Sequence, residues 1–343
     1  MYLTAPISEK LIPSERRLQT TTFDSARHRY RLVTLLGRGG YGAVFKALRL
    51  DTLDTVAIKL IHPPKPAYPS GNGATPLQQI RHLRHEITLG AGLCHPNLAI
   101  LHDWGETADG QVFAVFEYLP GETLRERLLL RGGMDGRSAV SLMAQVLAAL
   151  VYLHAQGIVH CDIKPHNIML LPADPLTPAL RRAKIIDFGS AVRLPVDPFS
   201  QSDARTACSP AYSAPEQLRG AAPTPSVDIY AWGLVLLECL SGQAIVSGRS
   251  MRHIIEQQIS DELIPIPVQL EGHPLGALLR QVTHKNEQRR IGDSAQLQRQ
   301  LLLIDLAGMH DTGPGLRQHT VAADKFDDAA TQSRPFTGCR YRV

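Results

Sequence analysis

The spacing of hydrophobic positions changes once along the chain. From Tyr30, apolar residues recur at Leu32, Val33, Leu35 and Leu36 and then meet a glycine cluster, the pattern of a strand entering a tight turn. Residues 44–50 and 55–60 repeat the strand pattern, with the polar stretch 51–54 between them, so the chain opens as an antiparallel meander. Residues 78–93 carry helical spacing, but Gly90 and Gly92 each cost about 1 kcal/mol relative to Ala, which predicts a weak C-terminal end. Strand character returns over 98–104 and 111–118. Beyond Gly121 the apolar period becomes three and four, and residues 123–130, 138–156 and 227–240 read as helices, the last one buried. Helical stretches continue to about Leu303.

A small β-rich half followed by a larger helical half, changing near Leu119, predicts an α+β architecture of two lobes with a cleft between them, where ligands bind by default. Residues 1–29 are polar and aperiodic and read as an N-terminal extension, 30–303 as the folded domain (lobes 30–118 and 119–303), and 304–343 as a poorly ordered tail. Residues 63–76, PPKPAYPSGNGATP, form an insert dominated by Pro and Gly. This insert and the termini are the places where a regulatory partner would dock.

Composition narrows the function classes. A net charge of +4 over 343 residues is small and argues against a nucleic-acid or membrane-surface binder. Five cysteines (Cys94, Cys161, Cys208, Cys239, Cys339) at irregular spacing fit neither a disulfide framework nor a structural zinc site, and lead us to expect a reducing, cytoplasmic setting. No signal-peptide core and no run of about 18 apolar residues is read from the sequence. His82, His85 and Glu86 cluster in the order His-x-x-His-Glu, which matches neither zinc-protease helix pattern.

The chemistry is carried by five short motifs. Gly37-Arg38-Gly39-Gly40-Tyr41-Gly42-Ala43-Val44 lets backbone amides approach phosphate oxygens, and because a strand follows rather than a helix, a dinucleotide fold is disfavoured. Lys59 sits in the apolar strand Val56-Ala57-Ile58-Lys59, in a chain with 8 Lys against 28 Arg. Its compact ammonium suits a point contact to phosphates, and Glu86 on the next helix is placed to pair with it. His160-Cys161-Asp162-Ile163-Lys164-Pro165-His166-Asn167 follows a helix on a loop, where Asp162 can accept a hydroxyl proton, Lys164 can neutralise a γ-phosphate and Asn167 can hold a metal. Asp187-Phe188-Gly189 follows an apolar strand and offers a Mg²⁺ ligand. Ala214-Pro215-Glu216 closes the series.

With these motifs in this order and spacing, residues 30–303 resemble the eukaryotic-like protein kinases, and most closely the bacterial serine/threonine members. The resemblance implies a transfer of the γ-phosphate of ATP, with Mg²⁺ or Mn²⁺, to serine or threonine of protein substrates. Gly37, Arg38, Gly39, Gly40 and Gly42 would cover the phosphates. Val44 and Ala57 would pack on adenine, Phe116 would be the gatekeeper, and Glu117 to Leu119 would offer hinge backbone groups. Lys59, positioned by Glu86, would hold the α- and β-phosphates. Asp162 would be the base, Lys164 the γ-phosphate contact, and Asn167 and Asp187 the metal ligands. Ser209 would bond Asp162 and Lys164. Asp228 would anchor the catalytic loop, and Arg289 would pair with Glu216. Lys164 two residues after the base is the serine/threonine pattern.

Two other readings are weaker. A pseudokinase scaffold would need the loss of a catalytic Lys, Asp or Asn, and none is lost. A small-molecule kinase of related fold is disfavoured by Ala214-Pro215-Glu216 and its arginine, which organise a protein-substrate platform in the family. The chain departs from the family at Cys161, where an arginine usually answers an activation-segment phosphate, and at Cys208, where a glycine is usual; a redox switch built on these two thiols is less favoured than a pair of small buried side chains. Turnover of phosphatase-treated protein is therefore expected to match that of untreated protein, and a large loss in a side-by-side assay would count against this reading.

Overall fold

The computed structural model describes residues 21–39, 42–61, 76–107, 110–173, 181–195 and 209–306. Gly40, Tyr41, the side chain of Arg38, Cys208, most of the insert 63–76, and the outer parts of both termini lie outside the described residues.

The N-terminal lobe is a six-stranded antiparallel sheet of spatial order β1-β2-β3-β4-β6-β5, built from β1 (Thr22–Asp24), β2 (Arg29–Gly39), β3 (Gly42–Arg49), β4 (Thr55–Ile61), β5 (Leu101–Glu106) and β6 (Val112–Glu117). Two-residue periodicity divides β4 between two cores. Val56, Ile58 and Leu60 enter a cluster with Phe23, Tyr30, Leu32, Phe45, Phe113 and Val115. The alternate positions face helix α1 (Pro76–Gly90), where Ile61, Leu83, Ile87, Val112 and Ala114 pack with Phe116 at the margin. Lys59 belongs to this second set, so the strand pleat aims it at α1. The expected helix 78–93 ends at Gly90; Gly92 then takes a φ of 87° and turns the chain back toward β5.

The extension expected over 1–29 differs from the structure at its C-terminal end. Thr22–Asp24 forms β1, antiparallel to β2, and Phe23 is buried with its ring 5.5 Å from that of Phe113. Three residues with one apolar member are too short to show a period, which hides β1 in the sequence. A buried network fixes it further: Ser25 Oγ and Tyr30 Oη both donate to Asp103 Oδ2, at 2.5 and 2.7 Å.

The C-terminal lobe carries β7 (Glu122–Thr123), α2 (Leu124–Arg131), α3 (Gly136–Ala155), β8 (Ile158–Val159), β9 (Ile168–Leu170), β10 (Ala183–Ile185) and β11 (Val192–Arg193), then α4 (Pro215–Leu218), α5 (Pro225–Ser241), α6 (Met251–Ile259), α7 (Pro274–Val282) and α8 (Ser294–Leu302). Thr123 caps α2 in a reciprocal capping box with Glu126. By length and composition α3 is apolar enough to cross a membrane, but Ala139, Met143, Val146, Leu147 and Leu150 are spent on the lobe's core. Helix α5 is buried over 226–240 and forms the centre of that core. Ile304 and Leu306, read as the start of the tail, also pack against it.

Phe23→Ala should therefore destabilise the fold by about 3–5 kcal/mol, the usual cost of emptying a buried Phe site. Urea denaturation would check this; a change below about 1 kcal/mol would mean β1 is dispensable.

Candidate active site

The mouth of the cleft is formed by the β2–β3 hairpin. Gly42 has a φ of 131°, and a Cβ there would collide with the Leu60 carbonyl oxygen, so this position admits glycine alone. Val44 pairs in register with Lys59, and Ala57 with Phe116, which places these four residues at the same strip of the sheet. At the hinge, the Glu117 N–H donates to the Ile100 carbonyl at 2.9 Å, so this donor is already engaged. The Glu117 side chain turns inward and accepts from Ile100 N and Lys184 Nζ at 2.8 and 2.7 Å.

Lys59 Nζ lies 2.6 Å from Glu86 Oε2 and 3.0 Å from Asp187 Oδ1. Burial alone would lower the lysine and raise the aspartate, yet the mutual attraction outweighs it. Lys59 is pushed above the ordinary lysine range, and Asp187 is held down at about 2. Lys59 and Asp187 thus form an ion pair at neutral pH, while burial raises the Glu86 carboxyl against the pull of Lys59; together the three join β4, α1 and the turn after β10. Asp187 takes a φ of 68°, which costs a non-glycine residue about 1–2 kcal/mol.

The loop after β8 gathers the second cluster. Asp162 Oδ2 accepts from Lys164 Nζ at 2.6 Å and from Asn167 Nδ2 at 3.1 Å. The same Asn167 amide donates to the Asp162 carbonyl at 2.9 Å, which leaves its Oδ1 as the free donor atom for a cation. Ile186 N–H bonds the Asn167 carbonyl at 2.9 Å, which ties the loop to the residue before Asp187. Ser209 Oγ is 2.7 Å from Lys164 Nζ but does not reach the second oxygen of Asp162: among the described residues, nothing bonds the buried Asp162 Oδ1.

Beneath the loop, Asp228 accepts the N–H groups of His160 and Cys161, each at 2.8 Å. Its other support is His154, whose Nε2 lies 3.0 Å from Asp228 Oδ2 and whose Nδ1 lies 2.8 Å from Ser294 Oγ. Cys161 is held at a φ of 65° by these bonds, and its sulfur is not in a disulfide. His154 and Lys184 escaped the sequence reading because their partners are more than 60 residues away and neither belongs to a local motif.

One assignment is corrected. Glu216 pairs with Arg290, not Arg289: Nη1 and Nη2 reach Oε1 and Oε2 at 2.5 and 3.1 Å. Arg290 also donates to Ser226 and to the His284 carbonyl and stacks 4.7 Å from the Tyr230 ring centroid, while Arg289 is exposed. The physical reason is the short 3₁₀ turn Glu287–Arg289, which Asn286 caps by accepting from Gln288 N, turning the next residue inward. Asn286, four residues before Arg290, was the usable signal. Among the described residues no group of three or more His, Cys, Asp or Glu is arranged to hold a metal by itself, and His82 and His85 bond carbonyl oxygens instead.

Residues 30–302 match the family described as the protein kinase domain. The chain belongs to this family. The kinase domain is 32% identical to the serine/threonine-protein kinase PrkC of Bacillus subtilis over 234 residues, covering 68% of this chain and 34% of that protein. It is 34% identical to the serine/threonine-protein kinase PknD of Mycobacterium tuberculosis over 256 residues, 75% of this chain and 36% of PknD. With the serine/threonine-protein kinase PknB of the same species the identity is 30% over 300 residues, 86% of this chain and 45% of PknB. The chain thus spans about a third to under a half of the length of the curated relatives it matches.

Arg290→Ala should destabilise the kinase domain by about 3–5 kcal/mol, since Glu216 would be left without its buried partner. Arg289→Ala should stay within about 0.5 kcal/mol of the parent. Equal effects of the two in thermal unfolding would refute the assignment.

Proposed function

We propose that this chain transfers the γ-phosphate of ATP to serine or threonine hydroxyls of protein substrates. The observation that carries the proposal is Asp162: one carboxylate oxygen is fixed by Lys164 and Asn167, and the other is buried with no partner among the described residues. A buried acceptor without a partner costs roughly 1–3 kcal/mol, and an incoming hydroxyl would satisfy it. In the reaction the hydroxyl proton passes to Asp162, the hydroxyl oxygen bonds the γ-phosphorus, and the bond to the bridging oxygen breaks to release ADP. Lys164, already tied to Ser209, offers its charge to the transferred group and holds the base against the substrate platform. Lys59 is charged and positioned to receive the α- and β-phosphates.

A divalent cation fits the residues present. Asp187 is held ionised, and the Asn167 amide is oriented with its oxygen free, two hard donors of the kind Mg²⁺ or Mn²⁺ takes alongside phosphate oxygens. When bound, that ion supplies neutralisation of the phosphate charge.

The named functions of the relatives support this reading. Cys94, Cys161 and Cys239 are not in disulfides, which favours a reducing, cytoplasmic setting. We place the working kinase unit at residues 21–306, with any regulatory partner reaching it through the termini or the insert 63–76.

Transfer of labelled γ-phosphate from Mg-ATP to a generic basic protein tests the proposal. Asp162→Asn should retain ATP binding and lose about 10²–10⁴ in turnover, the range of a lost general base. A folded Asp162→Asn protein with near-normal turnover would overturn the assignment of the base, and label absent from the parent would overturn the activity.

A further inference from the structure

Helix α1 meets the segment after Asp187 through more than Glu86. His85 Nε2 lies 2.6 Å from the Ala191 carbonyl oxygen, and His82 Nδ1 lies 3.2 Å from that of Gly189. Between them the Phe188 N–H approaches Glu86 Oε1 at 3.4 Å. Residues 82, 85 and 86 stand at i, i+3 and i+4, so they share one helical face. A carbonyl accepts only, so each ring nitrogen at these contacts is the protonated one. Ala191 is followed by Val192, which pairs with Val159, the residue before His160-Cys161-Asp162. A path of main-chain bonds therefore runs from α1 to the loop that carries the base.

Cys161 gives this path its importance. At that position the chain offers a thiol, bonded to the Val159 carbonyl at 3.6 Å, instead of a cation that a phosphorylated segment could engage. The segment after Asp187 is held instead by the contacts of α1. We propose that His82 and His85 are positioning residues that clasp α1 to residues 188–191 and so keep Glu86 on Lys59 without any phosphate on the protein. The inference rests on the kinase reading for its consequence in turnover, while the clasp is a structural statement of its own. Two hydrogen bonds of ordinary strength bias a two-state arrangement of α1 by roughly ten- to a hundredfold.

The experiment compares the parent, the double variant His82→Ala/His85→Ala and the double variant His82→Gln/His85→Gln, each before and after phosphatase treatment. Alanine favours the helix, so α1 itself is not weakened; glutamine keeps an N–H donor. Turnover and KM for the protein substrate are measured, together with hydrogen exchange of the amides of residues 188–192. The alanine variant should lose about tenfold or more in kcat with KM within about twofold, and exchange at 188–192 should quicken while α5 keeps its protection. The glutamine variant should recover most of both, and phosphatase should leave the parent within about twofold. Parent-like kcat and exchange in the alanine variant would overturn the clasp, as would equal losses in both variants, which would assign the effect to ring packing. A large loss of parent turnover on phosphatase treatment would overturn its independence of phosphate. Should the parent transfer no phosphate, the kinase reading fails, and the exchange data still decide the clasp.

Discussion

Lys59 is largely but not wholly withdrawn from water in a strip of apolar sheet, with 15% of its side chain exposed, and an ammonium so placed is tolerated only where carboxylates offset its desolvation. It has two, from parts of the chain 27 and 128 residues away. That requirement draws α1 against the sheet and draws the turn at Asp187 up to the same point, so the relative placement of helix, sheet and C-terminal lobe follows from one charge. The two apolar clusters of the N-terminal lobe serve the same end: one stiffens the sheet, and the other seats α1 at the distance at which Glu86 can meet the lysine.

On the other side of the cleft the controlling group is Asp228, supplied by a helix buried along almost its whole length. Helix α5 contributes little electrostatic chemistry beyond this carboxylate, Glu238 and its contact with Arg290. Its value is rigidity: a backbone held in a left-handed turn at Cys161 persists only where its surroundings over-determine it. His154 and Ser294 extend that support to α3 and α8. The polar loop carrying Asp162, Lys164 and Asn167 is accordingly fixed from below by core elements and from the side by the Ile186–Asn167 bond.

Much of this was legible in the sequence because the reacting groups sit in short local motifs whose spacing is itself the signal. Gly42, Lys59, Asp162, Lys164, Asn167 and Asp187 were singled out in that way, and the sheet-then-helix order and the central helix were read from the change of period. The misreadings have a common origin. Arg290 was displaced by one position because Arg289 is its identical neighbour and the 3₁₀ turn capped by Asn286 decides which of the two points inward. His154, Lys184 and the contacts of His82 and His85 depend on partners brought near only by folding. Strand β1 is three residues long and earns its place through a single buried ring.

That strand has a bearing on where the kinase unit may be cut. The family match starts at residue 30, after β1 and the Ser25 turn. A protein beginning there would strip Tyr30 and Arg31 of their strand partners, lengthening the unpaired outer edge of β2 beside an apolar cluster opened by the loss of Phe23. Such an edge invites pairing with the same edge of another molecule. Self-association of a protein trimmed at Tyr30 would then be a product of the trimming and would say nothing about how the intact chain assembles.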